Sequence, residues 1–559
     1  MARLGRDLSR RDFLRGLGLT GLGMLAAACA PAAPQAPAPA AGEQPAEQPT
    51  EAPAEAGPKK GGTLTIARPT DAVSLDSMLE TTAPGAWVYV NILEPLLRLN
   101  ADMELEPVLA ERWEVIDDTR VRFYLRQGVT FHDGEPFNAD AVVFNFERFL
   151  RSDPPARWVS LAGPIAGAEK VDDYTVDVTT SVPYGPVLRS LAMPYVHMVS
   201  PKAARELGED FGRQPVGTGP FKFVEWQTDD RIVLARNDNY WGEGPYLDQV
   251  VFRVIPEESS RMLALRTGEV DMVLKPAPAE LESLRQDPNF AVHQADGLRV
   301  VFVGFNMAMA PVDELKMRQA IAHAIDTQGI LDHVLEGAAG PARGILAPGV
   351  FGFADTNVQE KYRYDPEQSK ALLAELGYTE TDAEGFLVKD GQRLTLKFLG
   401  FRGRYLKDGE IIEAVQAQLK EVGIEVQVDF LEWAAAFTQL RAEDLPYHMY
   451  LFGWVTTNAD ADYTLYSLFH SGEKPPQGWN RFRYANPDVD KLLEQARVTL
   501  DQAEREKLYA QIQEMLIADT PLVPIYNTLE IVVTGAYVHG FNVHPVEYNL
   551  FLQKVWLDR

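Results

Sequence analysis

The sequence predicts a mixed α/β protein with more than one lobe, preceded by a segment that belongs to neither. Three observations support this. Strand-like stretches of period two interleave with helical stripes along most of the chain. About 500 residues follow the compositionally biased start, more than a single hydrophobic core usually organises. The first 60 residues, in contrast, carry an address and a low-complexity tract.

The address comes first. Arg10 and Arg11 lead into a short apolar run from Gly16 to Ala28, which ends at Cys29, the only cysteine. This is the layout of an export signal, and the run falls short of the ~20 residues that span a bilayer. Ser9-Arg10-Arg11-Asp12-Phe13-Leu14 resembles a twin-arginine signal. Leu25-Ala26-Ala27-Ala28-Cys29 resembles a lipobox, with Ala26 where leucine is usual. Cys29 is therefore expected to carry a lipid anchor; the alternative is a small residue before a conventional cleavage site. Gly16-Leu17-Gly18-Leu19-Thr20-Gly21 matches a dinucleotide fingerprint, but lies inside the segment that export removes. Residues 1–29 are thus read as signal and 30–60 as linker. The linker is rich in Ala, Pro, Glu and Gln, and cannot bury enough apolar surface to offset its ordering entropy.

The folded body starts near Gly61. Its elements follow in order. Val121, Phe123 and Leu125 share one face of a strand over 120–126, and Asp133-Gly134 makes a turn. Asn138 caps a helix from Ala139 to about Leu150. A second helix carries Ala320, Ile321, Ala324 and Ile325. A third carries Ile411, Ile412, Val415, Leu419 and Val422 and stops at Gly423. Ile424, Val426, Val428 and Phe430 then alternate as a strand.

A formal charge of −27 argues against nucleic acid or an anionic membrane surface as partner. The body contains no cysteine for disulfides or thiolate metal sites. No metalloprotease, nucleophile-elbow or phosphate-loop motif occurs. Gly217-Thr218-Gly219-Pro220-Phe221-Lys222 begins like a phosphate loop, but the proline removes a needed N–H donor. The nine histidines lack helical ligand spacing; His132 is read as a turn residue bonding the local backbone. Asp117-Asp118 and Asp172-Asp173 read as solvated turns. The expectation is no enzyme, no cofactor and no metal.

Longer blocks carry more information. NILEPLLRLNADMELEPVLAERWEVIDDTRVRFYLRQGVTFHDGEPFNADAVVFNFER runs from Asn91 to Arg148. VGTGPFKFVEW follows from Val216, ARNDNYWGEGPYLDQVVFRVIP from Ala235 and ALRTGEVDMV from Ala264. GFNMAMAPVDELKMRQAIAHAID starts at Gly304, and QIQEMLIADTPLVPIYN ends at Asn527. Together they closely resemble the family 5 extracellular solute-binding proteins, the peptide, nickel and glutathione receptors of ABC importers. Departures are small: the usual Asp-Gly turn is Asp118-Thr119, and Ser77 replaces a common proline.

The resemblance implies a two-lobed periplasmic-binding-protein-like fold of the large peptide-receptor type. Lobe I would span 61–298, with an insertion subdomain at 103–206; lobe II would span 299–523, and 524–559 would return to complete lobe I. It also implies a monomer that captures solute in an interlobe cleft outside the cytoplasmic membrane. The permease and ATPase would be separate chains, and the lipid anchor the link to the membrane.

For the solute, a peptide or peptide-like molecule leads; a nickel chelate, haem or oligosaccharide is the alternative. Peptide receptors commonly hold the ligand ammonium with an aspartate three residues beyond a Gly-Trp pair. Here the pair is Gly453-Trp454 and that position is Thr457. Asp460 or Asp462 could meet the ammonium instead, with a helix-cap or turn role for Asp462 as the competing assignment. Arg404 is the candidate for a ligand carboxylate; in dipeptide receptors the corresponding arginine falls about where Glu410 stands. Trp454, Tyr463 and Trp479 would line the cleft or pack in the core.

Overall fold

The computed structural model describes residues 57–80, 82–150 and 159–559, with Ser160 described in its backbone only. Arg10, Arg11, Cys29 and the linker up to residue 56 lie outside the described residues.

Local readings in the body map onto regular elements. Arg120–Leu125 is a strand with Val121, Phe123 and Leu125 buried. The helix Ala139–Leu150 starts where expected, and the Asn138 side chain accepts from Ala141 N at 3.1 Å. The 411–422 stripe belongs to the helix Asp408–Glu421, and Gly423 follows with φ +84°, a conformation only glycine adopts without strain. Its strand, Glu425–Phe430, loses the alternation at the end: Val426 is buried but Phe430 is exposed, under the Arg402 guanidinium at 4.1 Å.

Eleven strands form the principal sheet. They are β1 (Thr63–Arg68), β2 (Phe221–Gln227), β3 (Arg231–Arg236), β4 (Gln249–Val254), β5 (Met272–Leu274), β6 (Phe290–Phe305), β7 (Ala339–Pro341), β8 (Thr395–Gly400), β9 (Glu425–Phe430), β10 (Met449–Val455) and β11 (Leu522–Gly535). The order is β9-β8-β10-β6-β11-β5-β1-β4-β3-β2, with β7 also on β11. Pairing is parallel around β1 and around β8, and antiparallel elsewhere. A separate four-stranded sheet, Ala110–Asp117, Arg120–Leu125, Thr175–Thr180 and Ile165–Asp172, packs the helix Ala139–Leu150.

The two long strands join the halves of this two-lobed fold. β6 pairs with β11 over 290–296 against 529–535, slips register after Asp296, and resumes at Val300 against Asn527. In its first stretch β6 is half-exposed; from Gly297 onward it is buried and its other edge pairs with β10. Gly297 sits at the slip, where a Cβ would come within 2.5 Å of Thr528 Oγ1.

The blocks that are distant in sequence meet around Glu94. Its buried carboxylate accepts from Thr218 Oγ1 (2.7 Å), Tyr240 Oη (2.8 Å) and Trp241 Nε1 (2.9 Å), and burial holds its pKa above the usual range against those bonds. Gly219 O accepts from His132 Nε2 (2.9 Å) and Asn237 (3.0 Å). His132 is therefore structural, but its partner is 87 residues away rather than local. The phosphate-loop look-alike is a buried strut. The acid pairs are turns as expected: Asp117 accepts from Thr119 and Asp172 from Tyr174.

Candidate functional site

β8 and β9 run parallel, as do β8 and β10, so the segments leaving all three emerge at one end of the sheet. Carboxyl ends of parallel strands are where open α/β sheets bind ligands. After β8 the chain turns through Gly403, Arg404 and Tyr405, whose backbone N–H groups all donate to the buried Asp408 carboxylate at 2.8–3.0 Å. This fixes the loop. Tyr405 Oη donates to Gly453 O at 3.1 Å, and the exposed Arg404 guanidinium lies 4.9 Å from the Trp433 ring. Trp433 opens the helix Trp433–Leu440 and stacks on Phe452 of β10 at 6.3 Å.

On β10, Tyr450, Phe452 and Trp454 share a sheet face by alternation. Trp454 packs against Tyr463 (5.7 Å) and Trp479 (5.3 Å), and its buried Nε1 has no acceptor among the described residues. Facing Tyr405 is Arg299, at 5.7 Å from its ring, at the start of the second stretch of β6. Arg299 pairs with Glu547 from the C-terminal segment. Burial works against the Glu547 charge, but Arg299 and Lys275 hold that carboxyl below the usual range. Tyr548, next in sequence, meets Tyr195 edge-on at 5.6 Å.

Arg404, Trp454, Tyr463 and Trp479 are thus brought into one aromatic neighbourhood with Tyr405, Trp433 and Phe452. The other three candidates are buried and have partners within the protein. Thr457 is 1 % exposed and hydrogen-bonds Tyr463. Asp460, 0 % exposed, caps the helix Ala461–Phe469 through Asp462 N and accepts from Arg505 at 2.6 Å. Asp462, 2 % exposed, accepts from Tyr184 Oη at 3.2 Å with Arg497 3.6 Å away. Burial raises the Asp462 pKa, with Arg497 pulling against it. Both acids thus have an arginine of the protein beside them, while Asp460 Oδ2 and Asp462 Oδ1 have no hydrogen-bond partner among the described residues. Glu410 is exposed beside Lys407 at 3.8 Å.

Sequence reasoning missed Tyr405, Trp433, Arg299 and Glu547. For Tyr405 and Trp433 the signal was available, since both directly follow parallel strands. Arg299 and Glu547 carry no local pattern. Among the described residues no cluster of three metal-ligating side chains occurs, and no helix is long and apolar enough to cross a membrane.

A two-lobed α/β fold whose halves share two strands, with an aromatic wall at the strand ends beside them, defines a solute-binding protein. The model for bacterial extracellular solute-binding proteins, family 5, matches residues 104–476, and the chain belongs to that family. It is 31% identical over 471 residues to heme-binding protein A of Haemophilus influenzae, covering 80% of this chain and 83% of that one. It is 31% identical over 467 residues to the dipeptide-binding protein of Escherichia coli, covering 79% and 84%. The ABC transporter-associated periplasmic binding protein DppA of Helicobacter pylori, solved with the peptide STSA, superimposes with TM-score 0.74 at 30% identity over 90% of this chain and 99% of that one. The protein is an extracytoplasmic substrate-binding component of an ABC importer, and its task is capture rather than catalysis.

Proposed function

We propose that this protein captures peptides or peptide-like solutes between lobe I (61–298 with 524–559) and lobe II (299–523) and delivers them to its permease as a monomer. The 103–206 segment is an insertion in lobe I. The observation that carries this reading is the aromatic wall of Tyr405, Trp433, Trp454 and Trp479, set where β6 and β11 cross between the lobes. The register slip at Gly297 supplies a place for the crossing strands to flex, so closure around solute is the motion proposed. The relatives named for dipeptide and for STSA support the peptide class. The relative named for haem favours the second reading, a receptor of this fold for a non-peptide solute. Mass spectrometry of solute released from gently purified protein decides between them: short peptides support the first, haem or another non-peptide the second.

The attachment belongs to the same proposal. Arg10 and Arg11 direct folded export, Cys29 carries the lipid, and residues 30–60 act as a leash that keeps the receptor close to its permease. Cys29→Ala is expected to release the chain from the membrane fraction. Retention of the variant in membranes would overturn the anchor.

A further inference from the structure

Six arginines are buried among the described residues. Five of them donate to the protein. Arg68 bonds Asp71 and Pro84 O; Arg261 bonds the carbonyls of Ile255, Pro256 and Lys275. Arg299 bonds Glu547 and Gly453 O, and Arg505 bonds Asp460 and Tyr509. Arg318 spreads its three nitrogens over the carbonyls of Val312, Asp313, Asp519 and Thr520. The sixth is Arg481. It is 1 % exposed, and Nε and both Nη atoms lack an acceptor among the described residues.

Rings surround it instead. The guanidinium carbon lies 4.6 Å from the centroid of Phe452, 4.8 Å from Trp479 and 5.2 Å from Phe437. Such contacts return only part of an ion's burial cost, and arginine does not escape by losing its proton at neutral pH. The charged side chains acting on it most strongly, Arg441 and Arg483, are of its own sign. Burial pulls its pKa down to about 10, which leaves it charged at neutral pH.

A second unmatched donor lies close by. Trp454 Nε1 is buried without an acceptor, and its ring packs on the same Trp479. The neighbouring Tyr450 hydroxyl, 0 % exposed, is unmatched as well. A cation and an indole N–H that find no acceptor among the described residues call for a partner that brings acceptors and negative charge. The rings offer the guanidinium no hydrogen-bond acceptor, and its planar fork matches the two oxygens of a carboxylate.

We propose that Arg481 is the residue that binds a carboxylate of the captured solute, with Trp454 Nε1 as a supporting donor. This rests on the reading of the aromatic-walled region as the solute site, but not on the solute being a peptide, since a haem propionate offers the same group.

The test uses the full-length chain, its Arg481→Met and Arg481→Lys variants, and two probe pairs. One pair is a di- to pentapeptide library with free C-termini and the same library amidated, read by affinity selection and mass spectrometry. The other is haemin and its dimethyl ester, read by absorbance titration. In at least one pair the parent protein is expected to prefer the free acid by about thirtyfold or more. Arg481→Met is expected to abolish that preference while keeping affinity for the amide or ester, and Arg481→Lys to restore part of it. A preference only for haemin refutes the peptide reading and upholds Arg481. The proposal is overturned if the parent binds acid and blocked forms equally, if none of the four probes binds, or if Arg481→Met keeps the preference. Circular dichroism of each variant separates loss of fold from loss of recognition.

Discussion

Two buried charge clusters flank the Trp454 region, and they are built on opposite plans. In the first, Asp460 meets Arg505 at 2.6 Å, and Asp462 meets Tyr184 and Arg497. In the second, Arg481 is enclosed by Phe437, Phe452 and Trp479 and meets no carboxylate among the described residues. Both lie far from water, where an unpaired ion costs several kcal/mol. The first cluster answers most of that cost with ion pairs of its own, although Asp460 Oδ2 and Asp462 Oδ1 keep no hydrogen-bond partner among the described residues. The second leaves it unanswered, which is what a residue held for an incoming partner looks like.

The histidines show a third plan and give the largest expected effect. His197 and His544 are buried and His132 is half-buried, and loss of water lowers their pKa values to about 3, about 4 and about 4, so all three are neutral at pH 7. Unfolded histidine titrates near 6.5. As pH falls below that value the unfolded chain takes up protons that the folded chain refuses. Stability is therefore present above pH 6.5 and lost as pH falls towards 4. Each site contributes about 1.4 kcal/mol per pH unit once well below 6.5. Together they should cost about 6 kcal/mol between pH 8 and pH 5. Chemical denaturation across that range, in the parent and in His197→Phe, measures it. A flat profile would show that these rings do not resist protonation, and the contrast with Arg481, which cannot go neutral, would lose its basis.

The next effect separates the two clusters directly. Arg505→Met leaves Asp460 buried without its ion partner and should cost about 3–5 kcal/mol, read as a lower thermal midpoint. Solute selectivity should not change. If selectivity changed and stability did not, Asp460 would return to the solute site.

The uneven legibility of the molecule follows from the same distinction. The blocks NILEP, GTGPF and NDNYW that reveal the family converge on Glu94 and Gly219, where Thr218, Tyr240, Trp241, His132 and Asn237 lock distant segments together. Their chemistry is that of the fold, so they announce the class and say little of the solute. Helix limits at Ala139–Leu150 and at Gly423 were readable because caps and stripes are local. The placement of Asp460 and Asp462 was not readable, since what decides their role is Arg505 and Arg497, on helices some 35–45 residues further on. Arg481 was invisible for the same reason. Nothing in Trp479-Asn480-Arg481-Phe482 indicates that the rings around it come from β10 and from the helix Trp433–Leu440.

The smallest expected effect is the most telling. Replacing a buried ion that has a partner destabilises, because the partner is stranded. Replacing one that has none strands nothing, and a methionine fills similar space between rings with favourable sulfur contacts. Arg481→Met should therefore leave the unliganded protein as stable as the parent or about 1–3 kcal/mol more so. The comparison is thermal unfolding of both proteins after solute has been stripped by partial denaturation and refolding. Added solute should then stabilise the parent more than the variant, because only the parent gains a charge pair on binding. If the stripped variant instead unfolds as early as Arg505→Met does, Arg481 carries fold stability through a partner, and the two clusters are built on the same plan.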